Sequence, residues 1–352
     1  MALDDMARRY PAGCACTPEG GGASSPRADR SHAARAPVRV VVARTLPAAG
    51  LDKLRARFDV ETGGLPSRRD WLLEHVPGAS AIVADPTVPV DGALLDLAGD
   101  SLQVVSNFAV GFDNIDTDAI RERGLRATNT PDVLTNATAE LAVALMQATG
   151  RRIVETDQIL RRGEWVGWEP EQYLGRELAG ATVGLVGFGR IGQRVAALLR
   201  GFEPRLVFSS AHPKDEAATE HGAERMQLGE LLAVCDYVSL HVNLTPATTH
   251  LIDAAALAAM KPGSILVNTC RGAVVDTAAL VQALRSGPLA GAGLDVYENE
   301  PAVPEELAEL PNTVLVPHIG SATRSTRDAM AELCADNVIA VLGGEEPLTP
   351  VV

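Results

Sequence analysis

One short run constrains the fold of this chain more than any other: Thr182-Val-Gly-Leu-Val-Gly-Phe-Gly-Arg-Ile-Gly-Gln193. It sets Gly187, Gly189 and Gly192 in G-x-G-x-x-G spacing, behind an apolar strand pattern and at the start of a helical one. Each glycine answers a separate demand. Gly187 allows the tight strand-to-helix turn, Gly189 lets backbone approach a pyrophosphate, and Gly192 lets helix and strand pack closely. The unpaired N–H groups of the helix start then face the phosphates, and Arg190, between the glycines, is placed to reach one as well. A glycine turn of purely structural origin is the competing reading, and the surrounding strand order decides between them.

That order is favourable. With Thr182–Val186, strand patterns at 205–209, 237–241, 264–268, 291–295 and 313–316 alternate with helical patterns at 191–199, 228–233, 254–260 and 277–285. This is the six-strand βαβ order of a dinucleotide-binding domain. Ahead of it, the runs Val38–Ala43, Ala81–Ala84 and Leu102–Val105 read as strands of a smaller parallel α/β unit. A long helix, capped by Thr135 or Asn136, is predicted to run from there to about Ile159, and the helical pattern at 321–342 is predicted to return to the first unit. The expected fold class is α/β with two Rossmann-like domains. A doubly wound parallel-sheet cofactor domain spans 136–318, and a smaller flavodoxin-like substrate domain is assembled from 38–135 and 319–347. Residues 1–36, rich in glycine, serine and charge, are expected to form a disordered extension.

Composition removes several function classes. Among 352 residues, 31 are basic and 45 acidic, a formal charge of −14, which disfavours nucleic acid as a partner. No run of eighteen apolar residues exists, so no membrane span is expected, and the first residues lack the apolar core of a secretory signal. Cys14, Cys16, Cys235, Cys270 and Cys334 are an odd, scattered set. They read as free thiols in a reducing compartment, the cytoplasm, with no metal site expected.

Three strand ends in the second half carry polar groups where a parallel sheet binds ligands. Val267-Asn-Thr-Cys-Arg-Gly272 ends in an arginine, Leu294-Asp-Val-Tyr-Glu-Asn-Glu-Pro301 in acids, and Val316-Pro-His-Ile-Gly320 in a histidine. Reduction of a 2-oxo acid needs a proton for the carbonyl oxygen and a cationic grip on the carboxylate. His318 is a suitable proton carrier, because imidazole titrates near neutrality. Glu300 would stabilise its imidazolium, and Arg271 has the planar fork that matches a carboxylate. Taken singly, each has a plain alternative as a surface ion pair or a packed turn residue.

The second strand ends Val207-Phe-Ser-Ser-Ala-His-Pro-Lys214, with no carboxylate before Asp215 to hold the ribose hydroxyls of NAD. Ser209 and Ser210 tolerate a 2′-phosphate, with Lys214, Arg205 or a more distant basic residue as its reader. The expected cofactor is therefore NADP, with NAD also usable.

At this point the chain resembles the D-isomer-specific 2-hydroxyacid dehydrogenases, nearest to the glyoxylate/hydroxypyruvate reductase branch, over roughly residues 38–347. The motifs are Asn107-Phe-Ala-Val-Gly-Phe-Asp-Asn-Ile-Asp116, Gly184–Gly192, Asn268-Thr-Cys-Arg-Gly-Ala-Val-Val-Asp276, Asp295-Val-Tyr-Glu-Asn-Glu-Pro301 and Pro317-His-Ile-Gly-Ser321. The resemblance implies that Arg271, Glu300 and His318 are catalytic. It implies that Val110 and Gly111 hold the substrate carboxylate through backbone N–H groups. Asp295 matches the acid that holds the nicotinamide carboxamide, and Asn107 and Thr138 match positions near substrate and nicotinamide. The same motifs set Ile191, Thr269, Cys270, His318 and Gly320 beside the dinucleotide. A homodimer built through the cofactor domain is also implied.

Two departures stand out. Val110 lies where the phosphite-oxidising branch carries lysine, which disfavours phosphite. Asn243 replaces a proline common in the family, and it either contacts the cofactor ribose or fills a turn. Phe108, Ala84 and Trp168 are expected in the pocket wall, and no phosphate grip for a phosphoglycerate is evident. The alternatives are another D-2-hydroxy acid as substrate, or a non-enzymatic, dinucleotide-sensing protein like the corepressors of this fold.

Overall fold

Val40, Val41 and Val42 are fully buried, and that burial makes their β-branched run a central strand. The computed structural model describes residues 38–64 and 69–352, so the extension expected over 1–36, with Cys14 and Cys16, lies outside the described residues. The first sheet comprises β1 (Arg39–Val42), β2 (Asp59–Thr62), β3 (Ala81–Ala84), β4 (Val104–Asn107) and β5 (Arg126–Thr128). Its order is β2-β1-β3-β4-β5, all parallel, the flavodoxin-like arrangement. β2 and β5 have no counterpart among the sequence expectations. Both are edge strands, and neither β2 (Asp-Val-Glu-Thr) nor the three-residue β5 carries an apolar run.

The second sheet contains β6 (Thr182–Val186), β7 (Arg205–Ser209), β8 (Glu224–Arg225), β9 (Tyr237–Leu240), β10 (Ser264–Asn268), β11 (Leu289–Leu294) and β12 (Thr313–Leu315). Its order, β12-β11-β10-β9-β6-β7-β8, reverses direction between β6 and β9, the doubly wound pattern. The six expected strands are present. The seventh, β8, is a two-residue exposed edge without an apolar signal.

The helix Thr135–Gly150 packs across this sheet because β11 is built from small residues, Leu-Ala-Gly-Ala-Gly-Leu. A Cβ on Gly293 would press on Leu145 and Thr149, so glycine there sets how closely helix and sheet approach. The single long helix expected to about Ile159 is in fact two. It stops at Gly150 and restarts at Ile153–Arg161, with Arg152 between them in the left-handed region at φ 53°. A Cβ on Gly150 would collide with the Tyr237 hydroxyl, and the Gly150 carbonyl accepts the Arg176 N–H at 2.8 Å. Nor do Thr135 and Asn136 cap the helix: both lie inside its first turn, behind Leu134.

The helix Arg324–Leu342 packs on the first sheet. Met330, Ala331, Cys334, Ala335 and Val338 are buried with Val40, Val42, Leu51, Leu54 and Val104. Each fully buried Leu or Val of this cluster contributes about 1.5–3 kcal/mol relative to exposure. Gly50 lies so close to the Ala331 carbonyl that a Cβ would overlap it, and Lys53 pairs with Asp336 at 2.9 Å. Among the described residues no helix is long and apolar enough to cross a membrane.

Candidate active site

The carboxyl ends of both sheets open onto one cleft of about 510 Å³. The segments after β10, β11 and β12 bring Arg271, Asp295 and His318 to it, and those after β1, β3 and β4 bring Arg44, Asp85 and Phe108. Ligands of doubly wound sheets bind at such strand ends because the chain must leave the sheet there in different directions.

His318 and Glu300 meet directly. The imidazole Nδ1 lies 2.8 Å from Glu300 Oε2, while Glu300 Oε1 accepts the Tyr297 N–H at 3.0 Å. Burial pushes the Glu300 carboxyl up. The His318 hydrogen bond and charge, the Tyr297 N–H and the Arg271 charge outweigh it, and hold the carboxyl below the ordinary glutamate range. With Nδ1 committed to Glu300, Nε2 is the ring nitrogen without a partner among the described residues. The His318 backbone is left-handed at φ 53°, a conformation uncommon for residues with a side chain. Neighbouring bonds impose it: the His318 N–H donates to the Asp295 carbonyl at 2.9 Å, and the Ile319 and Gly320 N–H groups donate to the Asp295 carboxylate at 2.6 and 2.8 Å. Asp295 is 1% exposed, and this burial raises its pKa despite those N–H groups and the nearby His318.

Arg271 Nε donates to Asp113 Oδ1 at 2.9 Å, and Nη1 donates to the Cys270 carbonyl at 2.9 Å. Asn268 supports the turn, donating to the Arg271 carbonyl at 2.8 Å and accepting the Cys270 N–H at 3.0 Å. A Cβ on Gly111 would coincide with the Arg271 guanidinium, so any larger residue there would push the arginine aside. The loop's carbonyls are tied down by Asn129, which donates to Val110 O at 2.7 Å, and by Asn107, which donates to Gly111 O at 2.9 Å. The Val110 and Gly111 N–H groups have no partner among the described residues. A guanidinium beside two unpaired N–H groups matches the needs of a carboxylate.

The dinucleotide signals divide. Thr138, Ile191, Asn243, Thr269, Cys270 and Gly320 line the same cleft as the three catalytic candidates. Thr138 donates to the Gly320 carbonyl at 3.2 Å, and Asn243 turns its carbonyl to Thr248. Gly187, at φ +97°, sits against the His241 carbonyl where a Cβ would collide, Gly192 packs on the Gly187 carbonyl, and Gly189 is open to approach. Thr269 Oγ1 and His241 Nε2 are buried without partners among the described residues, and both side chains border the cleft. An open glycine turn and orphaned polar atoms beside it fit a bound nicotinamide dinucleotide.

Arg190 opens the helix Arg190–Leu199, but its guanidinium pairs with Asp132 at 2.7 Å on the surface. Ser209 and Ser210 end β7, with Lys214 just before the next helix, Asp215–His221. Arg205 does not serve as a 2′-phosphate reader. It lies at the amino end of β7, away from the ligand edge, and pairs with Glu224 at 2.7 Å. Arg225 of β8 lies at the ligand end, and donates to the Ser210 carbonyl at 3.0 Å. Phe108 is in the cleft wall, whereas Ala84 is buried behind it and Trp168 is 78% exposed. Sequence reasoning missed Asp113, Arg44, His241 and Arg327. Asp113 lay inside a motif already singled out and Arg44 directly follows a strand, but Arg327 has no local signal.

Comparison with known proteins bears on this geometry. The D-isomer specific 2-hydroxyacid dehydrogenase, NAD binding domain, matches residues 143–320. Glyoxylate reductase of Thermococcus onnurineus is 48% identical over 317 residues, covering 88% of this chain and 95% of that protein. A crystal structure of a Thermus thermophilus protein superposes with a TM-score of 0.83 at 48% identity, covering 89% of this chain and all of that one. The NADPH-dependent glyoxylate/hydroxypyruvate reductase of Sinorhizobium meliloti, in complex with NADP and malonate, gives a TM-score of 0.80 at 37% identity, with 89% and 96% covered. A profile spanning half the chain and relatives this similar over nearly nine-tenths of it show that the chain belongs to the D-isomer specific 2-hydroxyacid dehydrogenase family.

Proposed function

We propose that this enzyme reduces a small 2-oxo acid, glyoxylate or hydroxypyruvate, to the D-2-hydroxy acid, using NADPH in preference to NADH. The observation that carries the reading is the His318–Glu300 contact at 2.8 Å in the same cleft as Arg271 and the unpaired N–H groups of Val110 and Gly111. The relatives named glyoxylate reductase and the NADPH-dependent relative support the choice of substrate and cofactor.

In this scheme Arg271 and the 110–111 loop hold the carboxylate and turn the carbonyl carbon toward the nicotinamide site. The reduced cofactor supplies hydride when bound. His318 Nε2 delivers the proton to the carbonyl oxygen, while Glu300, ionised below the ordinary glutamate range, stabilises the imidazolium before transfer. Asp295 holds the backbone of 318–320 in place, and its remaining lone pairs suit the carboxamide N–H₂. Ser209, Ser210, Lys214 and Arg225 receive the 2′-phosphate side of the dinucleotide, and the fingerprint glycines with Arg190 its pyrophosphate.

We assign 38–135 with 319–347 to the substrate domain and 136–318 to the cofactor domain. The enzyme works as a homodimer through the latter, which carries, between Ile153 and Leu174, six of the twelve exposed large apolar side chains among the described residues. Free Cys235, Cys270 and Cys334 suit the cytoplasm.

The test is consumption of NADPH and of NADH against glyoxylate, hydroxypyruvate, pyruvate and a bulky 2-oxo acid. Turnover is expected with the first two, faster with NADPH. Equal rates with both cofactors would overturn the preference, and no turnover of any acid would overturn the reductase reading.

A further inference from the structure

The substrate wall of the cleft holds a cation that this scheme leaves unused. Arg327 lies at the end of the first turn of the helix Arg324–Leu342, where the positive end of the helix dipole makes a cation unfavourable. Its guanidinium carbon sits 6.0 Å from the Phe108 ring centroid, and its Nε donates to the Ser321 carbonyl at 3.3 Å. The two terminal nitrogens make no hydrogen bond or ion pair among the described residues.

A second guanidinium lies on the same wall. Arg44 donates to Asp85 Oδ2 at 2.9 Å and to Thr87 Oγ1 at 2.9 Å. The Asp85 carboxylate that pairs with Arg44 also takes the Thr87 N–H and hydroxyl, and it is 2% exposed. It offsets Arg44 and makes no hydrogen bond or ion pair with Arg327 among the described residues. Burial, and next the charge of Arg44, lower the Arg327 pKa, with Asp295 opposing. A half-buried cation next to another cation, with no acid in ion-pair contact, is costly unless an anion comes to it. A substrate hydroxyl would accept a hydrogen bond but leave the charge unmatched. The dinucleotide phosphates do not supply the anion either, because the glycine fingerprint that would receive them lies on the other sheet.

We propose that Arg327, with Arg44 beside it, forms a subsite for a second anionic group, so that 2-oxo acids bearing a carboxylate or phosphate beyond the carbonyl are substrates of this enzyme. The proposal rests on the reductase reading and extends it. Glyoxylate has no atom beyond its carbonyl carbon to reach the subsite and so serves as the internal reference.

The experiment compares matched acids with NADPH: oxaloacetate against 2-oxobutyrate, and phosphohydroxypyruvate against hydroxypyruvate, with glyoxylate alongside. In at least one pair kcat/KM is expected to be about tenfold or more higher for the charged acid, as charge-assisted hydrogen bonds imply. The preferred member also reports whether the site suits carboxylate or phosphate. Arg327→Met is expected to erase that ratio and Arg327→Lys to retain part of it, with melting curves confirming that both variants fold. Calorimetric binding of the same acids with NADP⁺ present, where no reduction can occur, reads the preference independently of turnover. Glyoxylate turnover with no preference for either charged acid overturns the subsite and leaves the reductase reading standing. Preferential binding of a charged acid, lost in Arg327→Met, with no turnover of any acid does the reverse.

Discussion

Arg271 and Asp113 clasp each other across the cleft, with Arg271 Nε donating to both Asp113 oxygens at 2.9 and 3.2 Å. The arginine follows β10 and the aspartate follows β4, so the pair joins the ends of the two sheets. Their side chains are 19% and 27% exposed, which leaves the pair less screened than one on the open surface. With Nη1 on the Cys270 carbonyl, the guanidinium plane is fixed and Nη2 is pressed toward Gly111. Asp113→Asn is expected to let the fork swing and to lower kcat/KM for glyoxylate about 10–100-fold, since small misplacements of a binding group are costly. Steady-state kinetics check this. An unchanged kcat/KM would mean that Cys270 alone orients the arginine.

The His318–Glu300 contact sets a second expectation. His318→Ala removes the proton donor, and the expected loss in turnover is about 10²–10⁴-fold. Glu300→Gln keeps the shape but loses the charge that stabilises the imidazolium, and a smaller fall is expected. NADPH affinity, read by fluorescence titration, should stay within a few-fold of wild type in the alanine variant. Near-wild-type turnover in His318→Ala would remove the residue from the chemistry.

Cofactor choice is expected to depend on Arg225, which sits on the carbonyl of Ser210 at the ligand end of β7. Arg225→Ala should lower kcat/KM for NADPH about 10–100-fold, the range expected for losing a hydrogen bond to a charged group. With NADH little change is expected. Equal losses with both cofactors would indicate a structural role at the sheet edge.

What the sequence disclosed follows from how local each signal was. The glycine fingerprint was legible from its spacing, the apolar strands from the continuous runs that burial on both faces leaves, and the helix beginning at Thr135 from its periodic apolar side. β2, β5 and β8 were not, because edge strands carry charge and are held by their neighbours rather than by their own pattern. Arg271, Glu300 and His318 were recognisable as strand-end polar groups. The Asp113 contact was not, since its partner is 158 residues away. The break after Gly150 also escaped, because the Gly150 carbonyl is taken by the N–H of Arg176, 26 residues away, in a sequence whose helical period continues. Arg205 misled for a related reason: closeness in sequence to Ser209 says nothing about which end of the strand faces the ligand.

The exposed apolar side chains from Ile153 to Leu174 lead to an expectation about assembly. Val166 is 93% exposed, Trp168 78% and Leu174 65%, apolar surface that the proposed dimer would cover. Light scattering should give twice the mass of one chain. Trp168→Asp and Leu174→Asp, tested separately, should shift it toward one. A wild-type monomer would refute the dimer.

His241 makes stability depend on pH in a direction that can be worked out. Its Nε2 is buried without a partner among the described residues, and burial pushes its pKa down from 6.5 to about 4. The folded protein therefore keeps this ring neutral where the unfolded chain protonates it. A depressed folded-state pKa means that the contribution is fully present above pH 6.5 and is lost as the pH falls toward about 4. Urea unfolding of wild type and His241→Asn across this window isolates the effect, since other titrating groups cancel in the difference. The advantage of wild type over the variant should shrink steadily on acidification. A constant difference would mean that His241 accepts its proton in the folded protein as readily as in the unfolded chain.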